Sequence, residues 1–236
     1  MTENEWLSPI NLYNKLNYVE SQYGTNRLLR LFACACCRRV WNLLSICCAK
    51  RVVEMSEKYA DGQATESELL KLHNDDEFVR FNRLQYDNPA EIGLTFRGIK
   101  AIIAVMRMAS LSFDPYMIAQ DTSRDPALDF LPDIENQLTR KSALTSDSEL
   151  VMATKFLWDI FGNPFQPTPF APAWRTQKSL NLSRHMYDSN QYISMKLLGD
   201  YLEEAGCDNI GILNHCRLSQ IHVRGCWVVD LVLQKR

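Results

Sequence analysis

Between Arg27 and Gly62 the chain reads RLLRLFACACCRRVWNLLSICCAKRVVEMSEKYADG, and its apolar residues fall on a helical period. Leu29, Phe32, Cys36, Val40, Leu43 and Cys47 recur every three or four positions, the spacing of one helix face. A second apolar row runs beside the first. Leu31, Cys34, Cys37, Trp41, Leu44 and Cys48 widen the stripe until only Arg38, Arg39, Lys50 and Arg51 are left to reach water. Helices with so wide an apolar face pack on more than one side, so this cysteine-rich stretch is expected to be the central element of an all-α multi-helix bundle. A bend near Ser45 divides it into helices over about 26–45 and 47–60.

The rest of the chain repeats the helical pattern with recognisable stops. Ser8-Pro9 predicts an N-cap and first-turn proline for a helix carrying Ile10, Leu12, Tyr13, Leu16 and Val19. Asp61-Gly62 ends the long stretch, and Thr65-Glu66-Ser67-Glu68 has the order of a capping box leading into Leu69, Leu70 and Leu72. A further helix is predicted over 90–111. From 112 to 145 the period fades among Pro115, Pro126 and Pro132, which predicts a loop-rich connector. A second capping box, Ser146 to Glu149, opens a helix that Gly162 stops. Four prolines then impose an extended strap, FGNPFQPTPFAPAW, whose aromatics can pin it to the helices. Helices follow over 178–190, 192–205 and 208–216, and the segment from His222 to Gln234 fits a helix better than a buried strand. The organisation predicted is an N-terminal helical part (1–111), a connector (112–145) and a C-terminal helical part (146–236) packed on the first, or sharing one core with it.

Composition narrows the function classes. With 26 Lys+Arg against 28 Asp+Glu the formal charge is -2, which supplies no overall field for nucleic acid or an anionic membrane. The start, MTENEWLSPI, has no basic and apolar leader pattern, and the longer apolar runs carry charges such as Lys100 and Arg107. A cytoplasmic protein is the expectation, in which eight cysteines serve as buried thiols or metal ligands rather than disulfides.

Several strings resemble a family of bacterial proteins that has no established activity. They are the opening Met1 to Glu3 with Glu5-Trp6-Leu7, LRLFACACCRR with Trp41, Tyr59 to Gly62, DIFGNPF (Asp159 to Phe165) and Pro172-Ala173-Trp174. Tyr187-Asp188, LEEAGCD (Leu202 to Asp208), His215-Cys216-Arg217 and HVRGCWVVDL (His222 to Leu231) complete the set. Residues 63–148 depart from the family, and His185 stands where its members are usually apolar. The resemblance implies a shared fold and no particular chemistry.

The strongest candidate for chemistry is the C-terminal set Cys207, His215, Cys216, His222 and Cys226, spaced C-x7-H-C-x5-H-x3-C. Four thiolate or imidazole ligands from so compact a segment can close a tetrahedral zinc site. If Cys226 is helical, His222 stands four residues earlier on the same face. The bland alternative is that the cysteines are small core residues, since free cysteine is commonly buried and no CxxC knuckle supports the metal. Cys34 and Cys37 form a second, weaker pair, also best read as packing. His185, Tyr187 and Asp188 make a surface hydrogen-bond set at most. Arg27, Arg30, Arg38, Arg39, Lys50 and Arg51 can form a basic ridge, although pairing with acidic segments accounts for them equally well. No nucleophile elbow, HExxH, P-loop or GxGxxG is present, and nine glycines leave little material for a phosphate cradle. The preferred reading is therefore a non-enzymatic adaptor module with an unknown protein partner and no cofactor, anchored through Phe165, Phe170 and Trp174. Its rival is a zinc protein with a structural Cys/His site.

Overall fold

The computed structural model of the chain describes residues 1–23, 27–44, 47–73, 76, 151–219 and 221–235. Among these residues every regular element is helical. In chain order they are α1 (Glu3–Leu7), α2 (Leu12–Tyr23), α3 (Arg27–Arg39), a 3-10 turn (Trp41–Leu43), α4 (Cys47–Ala60) and α5 (Glu66–His73). After residue 150 come α6 (151–161), a second 3-10 turn (Pro172–Trp174), α7 (Gln177–Ser189), α8 (Met195–Glu204), α9 (Ile210–Leu218) and α10 (Trp227–Leu233). The predicted helix over 90–111, the connector over 112–145 and the capping box at Ser146 lie outside the described residues. The main spans of two compact units are Glu3–Thr154 and Lys155–Arg236. No helix among the described residues is long and apolar enough to cross a membrane.

In the first unit, every residue of α3 from Leu29 to Cys37 is buried, Arg30 included. Arg39 is exposed at the C-terminal end of the helix, while Arg27, Arg30 and Arg38 are covered at least in part and meet partners. Arg30 lies 5.1 Å from the centre of the Tyr59 ring, and Arg27 pairs with Asp61 at 3.1 Å. Arg38 donates to both Glu57 oxygens, at 2.8 and 2.7 Å, while its guanidinium lies 4.3 Å from the Trp41 ring centre. Much of the predicted basic ridge is thus engaged by residues of α4 and its C-terminal turn. α3 also ends earlier than its period predicts. The chain tightens after Arg39 into the 3-10 turn, with Val40 donating to the Cys37 carbonyl and Leu44 to that of Trp41.

Local capping signals are met at one helix start and missed at another. At α5 the Thr65 N–H donates to Glu68 Oε2 at 2.7 Å and the Glu68 N–H returns to Thr65 Oγ1 at 3.3 Å, a reciprocal capping box. The Ser8 prediction needs correction: α2 starts at Leu12, after Asn11 at φ +63°. The carbonyls of Ser8 and Ile10 accept from the buried ammonium of Lys15, and that long-reaching donor sets the turn in place of a hydroxyl cap.

The second unit is built on one apolar core. Met186 and Tyr187 of α7, Leu198 and Leu202 of α8, Ile212 and Leu213 of α9, and Val228, Val229 and Val232 of α10 meet there. The segment that admitted helix or strand resolves into an irregular stretch, 221–226, followed by helix. The proline-rich strap is tied to this core by its aromatics. Phe170 and Trp174 pack against the core and meet edge to face at 5.2 Å. Arg175 lies 4.7 Å from the Phe170 ring centre and donates twice to the Leu231 carbonyl, at 3.2 and 3.0 Å, clamping the strap to α10. Phe165 is also partly buried. Tyr187, expected at the surface, is core, flanked by Arg224 and Lys235 at 4.3 and 4.6 Å from its ring centre.

α8 and α9 approach closely at Gly199, where an added Cβ would stand 3.0 Å from the Cys216 Cβ. Helix propensity alone favours alanine at this position by about 1 kcal/mol, and the crowding opposes it. The contact is with a rigid Cβ rather than a flexible side-chain end. Gly199→Ala is therefore expected to lower stability by about 1–2 kcal/mol in urea titrations. A variant as stable as the parent would mean that the two helices can separate freely at this point.

Candidate metal centre

Asp159 lies in the run Leu157-Trp158-Asp159-Ile160-Phe161, where every neighbour is apolar. α6 ends just beyond it. Gly162 takes φ +66° and its N–H returns to the Trp158 carbonyl at 2.9 Å, which places Asp159 on the last turn of the helix. This is the unfavourable end of a helix dipole for an anion, and only 2% of the side chain is exposed. The carboxylate therefore needs partners.

They come from two later segments. Asn209 accepts from the Ile212 N–H at 3.1 Å and so caps α9, which carries His215. Between α9 and α10, Cys226 donates its N–H to the Val223 carbonyl at 3.0 Å, with Gly225 at φ +93°. That turn folds His222 back beside Cys226. Their pairing is thus made by a glycine turn, and the helical spacing expected for the two residues does not apply, since α10 begins at Trp227.

Four side chains converge. Asp159 Oδ1 lies 2.8 Å from His222 Nδ1 and 3.1 Å from His215 Nε2. Cys226 Sγ lies 3.2 Å from His215 Nε2 and 3.7 Å from His222 Nδ1. One ligand atom from each of the four residues falls within 4.8 Å of the others. Bonds of about 2.0–2.3 Å in a tetrahedron separate ligand atoms by roughly 3.3–3.7 Å, so the set already has close to the size that a zinc ion requires. Asp159 Oδ2 accepts the Val223 N–H at 2.8 Å, an outer bond that orients the carboxylate. The environment is dry, with side-chain exposure of 5% at His222 and 13% at His215.

Charge gives the cluster its character. Burial pushes the Asp159 carboxyl up, but hydrogen bonds with His215 and His222 hold it below the ordinary value, so it is ionised. Burial and the Asp159 charge push the Cys226 thiol well above the ordinary value. A fully buried thiol kept protonated is the opposite of an activated nucleophile, and Cys226 is not placed for cysteine catalysis. A dication, in contrast, would balance one carboxylate and one thiolate beside two neutral imidazoles. The donor set of two nitrogens, one sulfur and one oxygen is of the type that zinc takes.

Of the five ligands expected from the spacing, the fold brings His215, His222 and Cys226 together and leaves Cys207 and Cys216 in the apolar core. Cys207 follows Gly206 in a paired helix stop: Gly206 donates to the Glu203 carbonyl and Cys207 to that of Leu202, both at 2.9 Å. An apolar residue belongs at that position, and the thiol fills it. Cys216 packs against Gly199, and burial pushes its thiol up to about 12. Asp159 was absent from the expected set. Its signal was the lone carboxylate in an apolar run, which a folded core tolerates only with partners. Cys34, Cys36 and Cys37 are buried in α3, and among the described residues they join no metal-type cluster. His222 Nε2 and Tyr192 Oη are buried without hydrogen-bond partners. No protein-family model, curated protein or solved structure matches the chain, so this geometry carries the functional reading.

Proposed function

We propose that this chain is a zinc-binding helical protein whose metal, held by Asp159, His215, His222 and Cys226, has a structural role. The observation that carries it is the convergence of four zinc-type ligand atoms within 4.8 Å in a buried setting. Four protein ligands leave no open coordination position, which favours a structural over a catalytic ion. The metal would cross-link α6 to α9 and the turn before α10, which lie far from it in sequence. A thiolate ligand has to stay reduced, which is the ground for proposing the cytoplasm. For the first unit we keep the reading of a bundle around α3. The adaptor reading has no comparable observation behind it, since Phe170 and Trp174 pack on the chain's own core.

Elemental analysis of untagged protein, purified without chelator, is expected to find about one zinc per chain. Asp159→Ala and Cys226→Ser should each lose the metal and the cooperative unfolding of the second unit. Cys207→Ser and Cys216→Ala should keep it, whatever they cost in stability. Zinc retained by Asp159→Ala and lost from Cys207→Ser would favour the ligand set read from spacing over the one in the fold.

Binding should also follow pH in a defined direction. The Cys226 thiol is raised well above its ordinary value and must give up its proton to bind zinc. Each bound ion then releases a thiol proton, so affinity should rise about tenfold per unit between pH 7 and pH 8. Competition with a chromophoric chelator at several pH values measures that slope. A flat profile would remove Cys226 from the ligand set.

A further inference from the structure

The proton on His215 is held by a residue outside the ligand set. Trp227 Nε1–H donates to His215 Nδ1 at 3.0 Å, so Nδ1 is an acceptor and the neutral ring carries its proton on Nε2. Nε2 is the nitrogen that faces Asp159 Oδ1 at 3.1 Å and Cys226 Sγ at 3.2 Å. Coordination through Nε2 needs the opposite arrangement, with a lone pair there and the N–H on Nδ1. Two N–H groups would then confront each other across the 3.0 Å now spanned by the hydrogen bond.

We infer that Trp227 is a positioning residue that couples metal loading to conformation: its indole N–H stabilises the metal-free, hydrogen-bonded arrangement, and metal binding displaces it from His215. The inference rests on the zinc reading above and extends it to how the centre is loaded. On loading, Nε2 gives its proton to solvent and takes the metal, while Nδ1 takes up a proton from solvent. The ring remains neutral. His222 likewise gives up the proton on Nδ1, the nitrogen that faces the site, and takes one up on Nε2. The thiol proton of Cys226 leaves to solvent, and the indole loses its acceptor.

Three contacts fit Trp227 to this role. It is the first residue of α10 and directly follows the ligand Cys226. Its ring lies 5.0 Å from that of His215, centre to centre, at an angle of 55°. It also lies over Gly162, where an added Cβ would come within 3.3 Å of the indole Cγ and 3.4 Å of Cδ1. Gly162 ends the helix that supplies Asp159. The indole therefore touches or adjoins each of the segments that supply ligands, and a turn of the ring is felt by α6, α9 and α10 together.

The test uses the full chain, stripped of metal and titrated with zinc against a competing chelator, beside Trp227→Phe, which keeps an aromatic ring and lacks the N–H. The variant is expected to bind zinc about three- to tenfold more tightly, the equivalent of one neutral hydrogen bond no longer opposing the metal. In the parent protein, the indole N–H resonance that is missing from the variant should shift on zinc saturation. Equal or weaker binding by the variant, with a stationary indole resonance in the parent, overturns the coupling and leaves the zinc site standing. Absence of zinc binding by both overturns the zinc reading itself. If Trp227→Phe does not fold, the indole resonances of the parent decide, and all five remaining stationary overturns the coupling.

Discussion

The second unit depends on one constraint, the burial of the Asp159 carboxylate. An ionised group with 2% of its side chain exposed, on the last turn of a helix, loses hydration and gains nothing from the helix dipole. Several kcal/mol of desolvation have to be offset by donors at fixed positions. The Val223 N–H and two imidazoles supply them, and all three belong to segments that follow α8. Apolar packing among α7 to α10 tolerates small slides, whereas a carboxylate with three assigned partners does not. The phase of α9 and the Gly225 turn are where that demand is met.

The same problem arises with opposite sign in the first unit. α3 buries Arg30 and covers much of Arg38, and Arg38 meets Glu57 through two hydrogen bonds while stacking on Trp41. Arg30 and Lys15 are buried against an aromatic ring and backbone carbonyls respectively. These are complete solutions made from side chains and backbone alone. The cysteines of α3 are buried beside these pairs, with Cys34 Sγ 3.9 Å from the Val53 carbonyl oxygen. A high local count of cysteine is thus a poor guide to chemistry here, and a single cysteine in the second unit, beside two imidazoles and an anion, is a better one.

Much of the fold was legible because its signals are local. The apolar period of α3 and α4, the box at Thr65 and Glu68, and the glycine stops at Gly62, Gly162 and Gly206 all act within a few residues. The site was half legible for the opposite reason. His215, His222 and Cys226 announce themselves by residue type, but 63 residues separate His222 from Asp159, and no spacing rule links them. Sorting the cysteines was possible in principle, since Cys207 follows a helix-stopping glycine where an apolar residue is required. The failed cap at Ser8 has another cause. Lys15 reaches back to the carbonyls of that turn, and local propensity holds no information about a competitor seven residues away.

Two closed arrangements answer the same buried charge, and they use the same four side chains. Without metal, His222 Nδ1–H and His215 Nε2–H donate toward Asp159 and Cys226, and the thiol keeps its proton beside the ionised carboxylate. With a dication, the thiolate and carboxylate balance it and the cluster is neutral, which a low-dielectric interior favours. The unpartnered His222 Nε2 is common to both arrangements and discriminates neither. What separates them is the position of three protons, on the Cys226 thiol and on the rings of His215 and His222. The ligands can therefore be held near their final spacing before an ion arrives, so that little chain entropy is lost when it does. The cost of loading falls on the protons instead, and on whatever side chain fixes where they reside.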